Sequence, residues 1–199
     1  MGIAYISYDQ FVRDISSYLW KVPRNIDLVL AIPRSVLIPA TIISQYLNVN
    51  TMPVQRFCDL IEAGKDIKKE FYHGHRPVKD DRDIKNILVV DDTVYNGISK
   101  LEWKRKFEQP CYKDYNFIFL AVYEEGFSDY CKCDITLKDI RSWAYNSDLH
   151  ICLYEWNIYN HGPIMANLAF DIDGVVCLDP PDERNEEQYI KYIENPISY

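Results

Sequence analysis

With 199 residues, 48% of them hydrophobic and 26% charged, the chain has the composition of a globular domain with a real core, which excludes a disordered tail. A net charge of −8 argues against nucleic acid as a partner held by bulk charge, while leaving room for a local basic pocket. No basic-then-apolar leader opens the sequence and no apolar run approaches the roughly 20 residues of a membrane span, so the chain reads as cytoplasmic, with no membrane partner.

Asp9 is placed to cap a first helix, whose apolar residues Phe11, Val12, Ile15 and Leu19 recur at helical spacing. Asp27 to Ile32 (DLVLAI) is the short apolar run of a buried parallel strand, broken by Pro33-Arg34-Ser35. Pro39 suits the first turn of a helix carrying Ala40, Ile43, Tyr46 and Leu47. Val49 to Phe57 reads as another strand. Asp59 to Asp83 has little periodicity and is long for a structureless connection, so it is either a functional loop or holds further strands.

Ile84 to Val90 predicts a strand that ends at Asp91-Asp92, followed by a turn at Gly97 and a helix from about Ile98 to Phe107. Phe117 to Tyr123 and Ile151 to Trp156 read as later strands. Repeated strand–turn–helix units indicate an α/β domain with a mainly parallel sheet. The six cysteines (Cys58, Cys111, Cys131, Cys133, Cys152 and Cys177) are scattered and read as reduced and structural. The single residue between Cys131 and Cys133 does not match a zinc knuckle. A change of character near Gly162-Pro163 divides the chain into 1–160 and 161–199, the latter holding one short helix near Glu187 to Ile193.

Two adjacent carboxylates at a buried strand end cannot both be core groups, because unpaired buried charge is costly; they must face solvent, a cation or hydroxyl groups. Gly97 lets the backbone turn as a helix begins, and the amides of residues 93 to 97 with that helix N-terminus form an anion cradle. Thr93, Asn96 and Ser99 add short polar side chains. Amides for a phosphate and carboxylates for a diol suit a ligand that carries both.

The order from Val89 to Ser99 (VVDDTVYNGIS) resembles the phosphoribosyl-diphosphate motif of type I phosphoribosyltransferases, orotate-phosphoribosyltransferase-like members included. The resemblance covers roughly the first 160 residues. It implies a Rossmann-like three-layer α/β fold and transfer of ribose 5-phosphate from 5-phosphoribosyl 1-diphosphate to a nucleobase-like acceptor, with Mg²⁺ and release of diphosphate. It places Asp91 and Asp92 on the ribose hydroxyls and the metal as the catalytic pair, with Thr93, Val94, Tyr95, Asn96, Gly97, Ile98 and Ser99 around the donor. Ala31-Ile32-Pro33-Arg34-Ser35 stands where the family has its diphosphate loop, which implies donor contacts from Arg34 and Ser35. Glycines are frequent in relatives where Ser35 and Val36 stand here. Arg56 occupies the place of another basic residue near the diphosphate. A hood loop would come from Lys65 to Arg82, using one of Lys68, Lys69, His73, His75, Arg76 or Lys79. Tyr95 stands where hypoxanthine-guanine enzymes carry a catalytic Asp, which argues against a 6-oxopurine acceptor. The resemblance also allows a homodimer, and a non-catalytic regulator that keeps the donor site is the alternative reading.

Phe170 to Cys177 (FDIDGVVC) resembles the first motif of haloacid-dehalogenase-like phosphatases, in which Asp171 would be the nucleophile, Asp173 the acid/base, and both would hold Mg²⁺. The later motifs of that family are missing after Asp173, so a partial, inactive segment of a phosphoribosyltransferase–phosphatase fusion is expected.

Overall fold

The computed structural model describes residues 2–33, 35–71, 84–125, 132–141, 150–156 and 190. The chain divides into two units, Met1–Asn157 and Ile158–Tyr199. In the second, Ile190 alone is described, as an exposed helical residue, so the short helix expected at 187–193 lies otherwise outside the described residues.

The first unit is built on β2 (Leu28–Ala31), β3 (Asn50–Pro53), β4 (Asn86–Val94), β5 (Asn116–Glu124) and β6 (Ile135–Asp139), which form one wholly parallel sheet in the order β3-β2-β4-β5-β6. β2 and the first half of β4 are apolar without a break because both of their faces are covered: Leu28 to Ala31 and Ile87 to Val90 have no exposed surface. α2 (Leu37–Leu47) connects β2 to β3 and α4 (Ile98–Phe107) connects β4 to β5. These connections run in opposite directions along the sheet, so the right-handed crossover rule puts the two helices on opposite faces. α1 (Tyr8–Tyr18) packs with α2. α3 (Val54–Glu62) shares the α4 face, where Phe57 meets Phe107 and Phe117 edge-on. At the amino end of the sheet, Asp27 Oδ2 accepts the amide protons of Lys85 and Asn86 at 3.0 and 2.8 Å, setting the stagger between β2 and β4.

A second, two-stranded parallel sheet joins β1 (Gly2–Ile6) to β7 (His150–Tyr154), with Ile6 opposite Tyr154. The strand expected at Ile151 to Trp156 therefore belongs to this small sheet and not to the main one. β1 and β6 are additions to the expected elements.

Three local readings are corrected. α1 is capped by Ser7, whose hydroxyl accepts the Gln10 amide proton at 3.1 Å; Asp9 lies in the first turn and pairs with Arg13. The strand read over Val49 to Phe57 stops at Pro53, because Val54, Phe57 and Cys58 bury one face at helical spacing and start α3. In the stretch from Asp59, where the sequence predicts no helix, the described residues hold the rest of α3 and a 3-10 turn at Ile67–Phe71, and residues 72–83 lie outside the described residues. Among the described residues, no helix is long and apolar enough to cross a membrane.

Candidate functional site

In chain order, β2 leads to β3 on one side of the sheet, and β4 then resumes on the other side of β2. The direction of winding reverses between β2 and β4, and ligands in open α/β sheets bind in the crevice at the carboxyl ends of such strands. Ala31, the last residue of β2, is in register with Val90, and the Ile32 amide donates to the Val90 carbonyl at 3.2 Å. Beyond that point β4 continues alone on the β2 side, paired with β5 as far as Val94 opposite Glu124. Asp91 to Val94 thus lie at the carboxyl edge where a crevice of this kind is expected, between the turns that follow Ala31 and Val94.

This changes the geometry expected for the two acids. They lie inside a strand, not at its end. Strand alternation starts their side chains on opposite faces, yet the two carboxyls stay close enough for a side-chain hydrogen bond between them to help raise Asp91. Asp92 is buried, at 5% exposure, and its Oδ2 accepts the indole proton of Trp156 at 2.9 Å. A buried acid can be accommodated when it has a donor, so Asp92 does not face solvent, while its neighbour Asp91 is not a core group. Asp91 is half-buried. Burial, followed by the charge of Asp92, pushes its carboxyl up to about 7. Its charge is also felt by Cys133, whose thiol is pushed up to about 12, chiefly by burial. Cys133 is a free, neutral lining group, as the scattered-thiol reading implies for it and for the free Cys58 and Cys111. Lys100, buried on α4, donates to the Lys132 carbonyl and anchors the segment that carries Cys133.

The turn from β4 to α4 is shorter than the sequence suggests. Thr93 and Val94 still belong to β4, so their amides are strand groups and the cradle narrows to Tyr95–Gly97 and the helix start. Gly97 adopts φ 70° at the head of α4, a conformation that costs a residue with a Cβ, and the Leu101 amide donates to its carbonyl at 3.0 Å. Amides before Leu101 precede the intrahelical ladder and point out of the helix end. One is taken: Ile98 donates to Asn96 Oδ1 at 3.1 Å. The Thr93 hydroxyl is buried with no hydrogen-bond partner among the described residues. The Val94 side chain is buried against Ala121 and Cys133, so only its backbone can meet a ligand. Tyr95, Ile98 and Ser99 are exposed at the rim.

Of the other residues singled out in the sequence, Ser35 lies half-buried in the turn between β2 and α2, beside the crevice, and Arg34 lies outside the described residues. Arg56 is on the first turn of α3, not at a strand end, and makes a bidentate pair with Glu70 of the 3-10 turn. Of the hood candidates, Lys68 and Lys69 are in that same turn, while His73, His75, Arg76 and Lys79 lie outside the described residues, as do Asp171 and Asp173.

Two features of this edge were not singled out from sequence. One is the place of Trp156 in the site. In the sequence it stands in Leu153-Tyr154-Glu155-Trp156-Asn157, part of the resemblance to fusion proteins, with no site role attached, and a buried indole N–H needs an acceptor. The other is a charged cluster at the ends of β5 and β6. There Arg141 donates to Asp139 and holds its carboxyl below the usual range, and Arg141 also lies 3.7 Å from the buried Glu124.

No protein-family model and no curated protein matches the sequence. Among solved structures, the chain is similar to the Helicobacter pylori xanthine-guanine-hypoxanthine phosphoribosyltransferase, with a TM-score of 0.52 and 19% identity over 82% of this chain and 99% of that one. The chain has the phosphoribosyltransferase fold. A purine phosphoribosyltransferase from Pyrococcus horikoshii matches with a TM-score of 0.51 and 17% identity, over 78% of this chain and 94% of that one. A hypothetical protein from Neisseria gonorrhoeae with bound ppGpp also gives 0.51 and 17%, over 82% and 96%.

Proposed function

We propose that this chain binds 5-phosphoribosyl 1-diphosphate in the crevice between the ends of β2 and β4 and transfers its ribose 5-phosphate to a nucleobase-like acceptor, releasing diphosphate. The observation that carries this reading is the β4–α4 turn. It puts two carboxylates at a topological switch point, directly before a Gly97-headed helix N-terminus.

In this reading the amides around Asn96, Gly97 and Ser99 hold the 5-phosphate, with the Thr93 hydroxyl and the exposed Ser99 side chain beside it. Asp91 and Asp92 meet the 2′ and 3′ hydroxyls. Ser35 and Arg34 hold the diphosphate, and Arg56 joins them once it leaves Glu70. Mg²⁺ fits the donor set, since two close carboxylates are hard oxygen ligands and Asp91 is raised partly by the uncompensated charge of Asp92. Bound there with the diphosphate, the cation would neutralise the leaving group. The described residues offer no group of three metal ligands, which suits a cation held mostly by substrate and water. The protein's own task is to fix the ribose, stabilise the oxocarbenium-like transition state and exclude water; no covalent nucleophile is needed.

The two named enzymes of this fold act on purines, whereas Tyr95 stands in place of the acid found in hypoxanthine-guanine enzymes, so the acceptor is proposed only as nucleobase-like. The deciding experiment is incubation with the donor, Mg²⁺ and a panel of purine and pyrimidine bases, following diphosphate release. Release with one base supports the transferase; donor binding without release for any base replaces it with a regulator. Unchanged donor binding in the double variant Asp91→Asn/Asp92→Asn would remove the site assignment.

A further inference from the structure

We infer that Trp156 is a positioning residue for the donor site, fixing the orientation of the Asp92 carboxylate by holding one of its oxygens. The inference rests on the donor-site reading above. The parallel pairing of β1 and β7 explains why Trp156 is available. Ile6 and Tyr154 are opposite each other, so the chain leaving β1 into α1 and the chain leaving β7 emerge side by side. Phe11, one turn into α1, then stacks on Trp156 with ring centroids 3.8 Å apart and planes within 17°.

That stack sets the plane of the indole, and Tyr154 and Tyr123 close around it at 5.0 and 6.3 Å. Tyr123 is itself tied down, because its hydroxyl donates to Asp14 at 2.8 Å, and Asp14 is buried and paired with Lys138. With the ring plane fixed, the direction of the Nε1 proton is fixed, and so is the Asp92 oxygen that accepts it. Burial of the indole calls for an acceptor for its N–H, and the acceptor it meets is an acid of the proposed site. Without that donor, the Asp92 carboxylate would be free to rotate beside Asp91. Residues that orient ligating groups in this way typically change affinity by roughly 10- to 100-fold when removed.

The test uses Trp156→Phe, which keeps the ring on Phe11 and removes the N–H. Binding of 5-phosphoribosyl 1-diphosphate with MgCl₂ is measured by calorimetry for the wild type, Trp156→Phe, Asp92→Ala and the double variant. The expected result is a Kd weakened roughly 10-fold or more in Trp156→Phe, with little further loss when it is added to Asp92→Ala. An unchanged Kd in Trp156→Phe, or losses that add in the double variant, overturn the inference. Should Trp156→Phe fail to fold, the wild-type indole N–H resonance of Trp156 is followed instead. It should move upfield in Asp92→Ala, and a stationary resonance would overturn the inference. A wild type that does not bind the donor, or binding untouched by Asp91→Asn, removes the donor-site reading itself. A bound wild type with an unaffected Trp156→Phe removes only the role of Trp156.

Discussion

Val90 of β4 stands in register with Ala31, the last residue of β2, so everything β4 does after Val90 happens without β2 beside it. Asp91 is the first residue past that point. The proposed donor crevice therefore follows from a difference in strand length: β2 stops and turns at Pro33 while β4 runs on to Val94, still supported by β5 on its other side. The same register also fixes how far the β2–α2 turn stands from the two carboxylates.

The stagger depends on a contact at the opposite end of the sheet. Asp27 accepts two amide protons, at 3.0 Å from Lys85 and 2.8 Å from Asn86. Asp27→Ala leaves both amides without their acceptor and should lower the unfolding free energy by about 1–3 kcal/mol, measured by urea denaturation. Asp27→Asn keeps one acceptor oxygen and should lose less. An alanine variant as stable as the wild type would show that this contact does not hold the stagger.

Gly97 carries a different kind of constraint. Its φ of 70° at the head of α4 is open to glycine and tolerated by asparagine, and it strains other residues. Gly97→Ala should cost about 1–2 kcal/mol of stability and weaken donor binding, because the turn presents the helix amides. Gly97→Asn should recover most of both. Equal losses in the two variants would mean that space, not backbone conformation, is limiting at this buried position.

Much of this was readable from the sequence for identifiable reasons. Leu28 to Ala31 and Ile87 to Val90 are apolar runs with both faces covered, and such runs announce parallel strands. Gly97 marks the turn because the backbone needs it there. The burial of Asp92 was not readable, since its partner Trp156 lies 64 residues away and meets it only through the pairing of β1 with β7. β1 (GIAYI) is too short to announce itself, and β6 (ITLKD) carries charge where a buried strand would show none. Arg56 was misplaced because the apolar residues around it fit two periodicities, and only the helical one buries Val54, Phe57 and Cys58 together.

Arg56 is tied to Glu70 by a bidentate contact in which both side chains keep substantial solvent exposure. Such a pair contributes little to stability, about 0–1 kcal/mol, but it competes for a cation that the diphosphate would use. Glu70→Gln should therefore leave unfolding nearly unchanged and tighten donor binding by roughly threefold to tenfold, equivalent to about 1 kcal/mol. Adding Arg56→Ala should abolish the gain. A tightening that survives in the double variant would assign the effect to the lost negative charge of Glu70 and leave Arg56 outside the site.

The pH dependence of stability tests the environment of Asp91 without any ligand. Its carboxyl is raised from an ordinary 3.8 to about 7, first by burial and then by the charge of Asp92. The folded chain thus binds this proton more tightly than the unfolded chain does. The resulting stabilisation is complete below the unfolded value and is lost as pH rises through about 7. Asp91→Asn cannot ionise and is spared that loss. Its stability relative to the wild type should therefore grow between about pH 4 and pH 7.5, by about 1–3 kcal/mol once solvent screening of a half-buried group is allowed for. Urea unfolding of both proteins across that range measures the gap. Millimolar Mg²⁺ should narrow the gap at the upper end if the two carboxylates hold the cation, because a bound cation favours the ionised form. A gap that stays constant with pH would mean that Asp91 ionises as freely in the folded chain as in the unfolded one, and that burial at the carboxyl edge does not raise it.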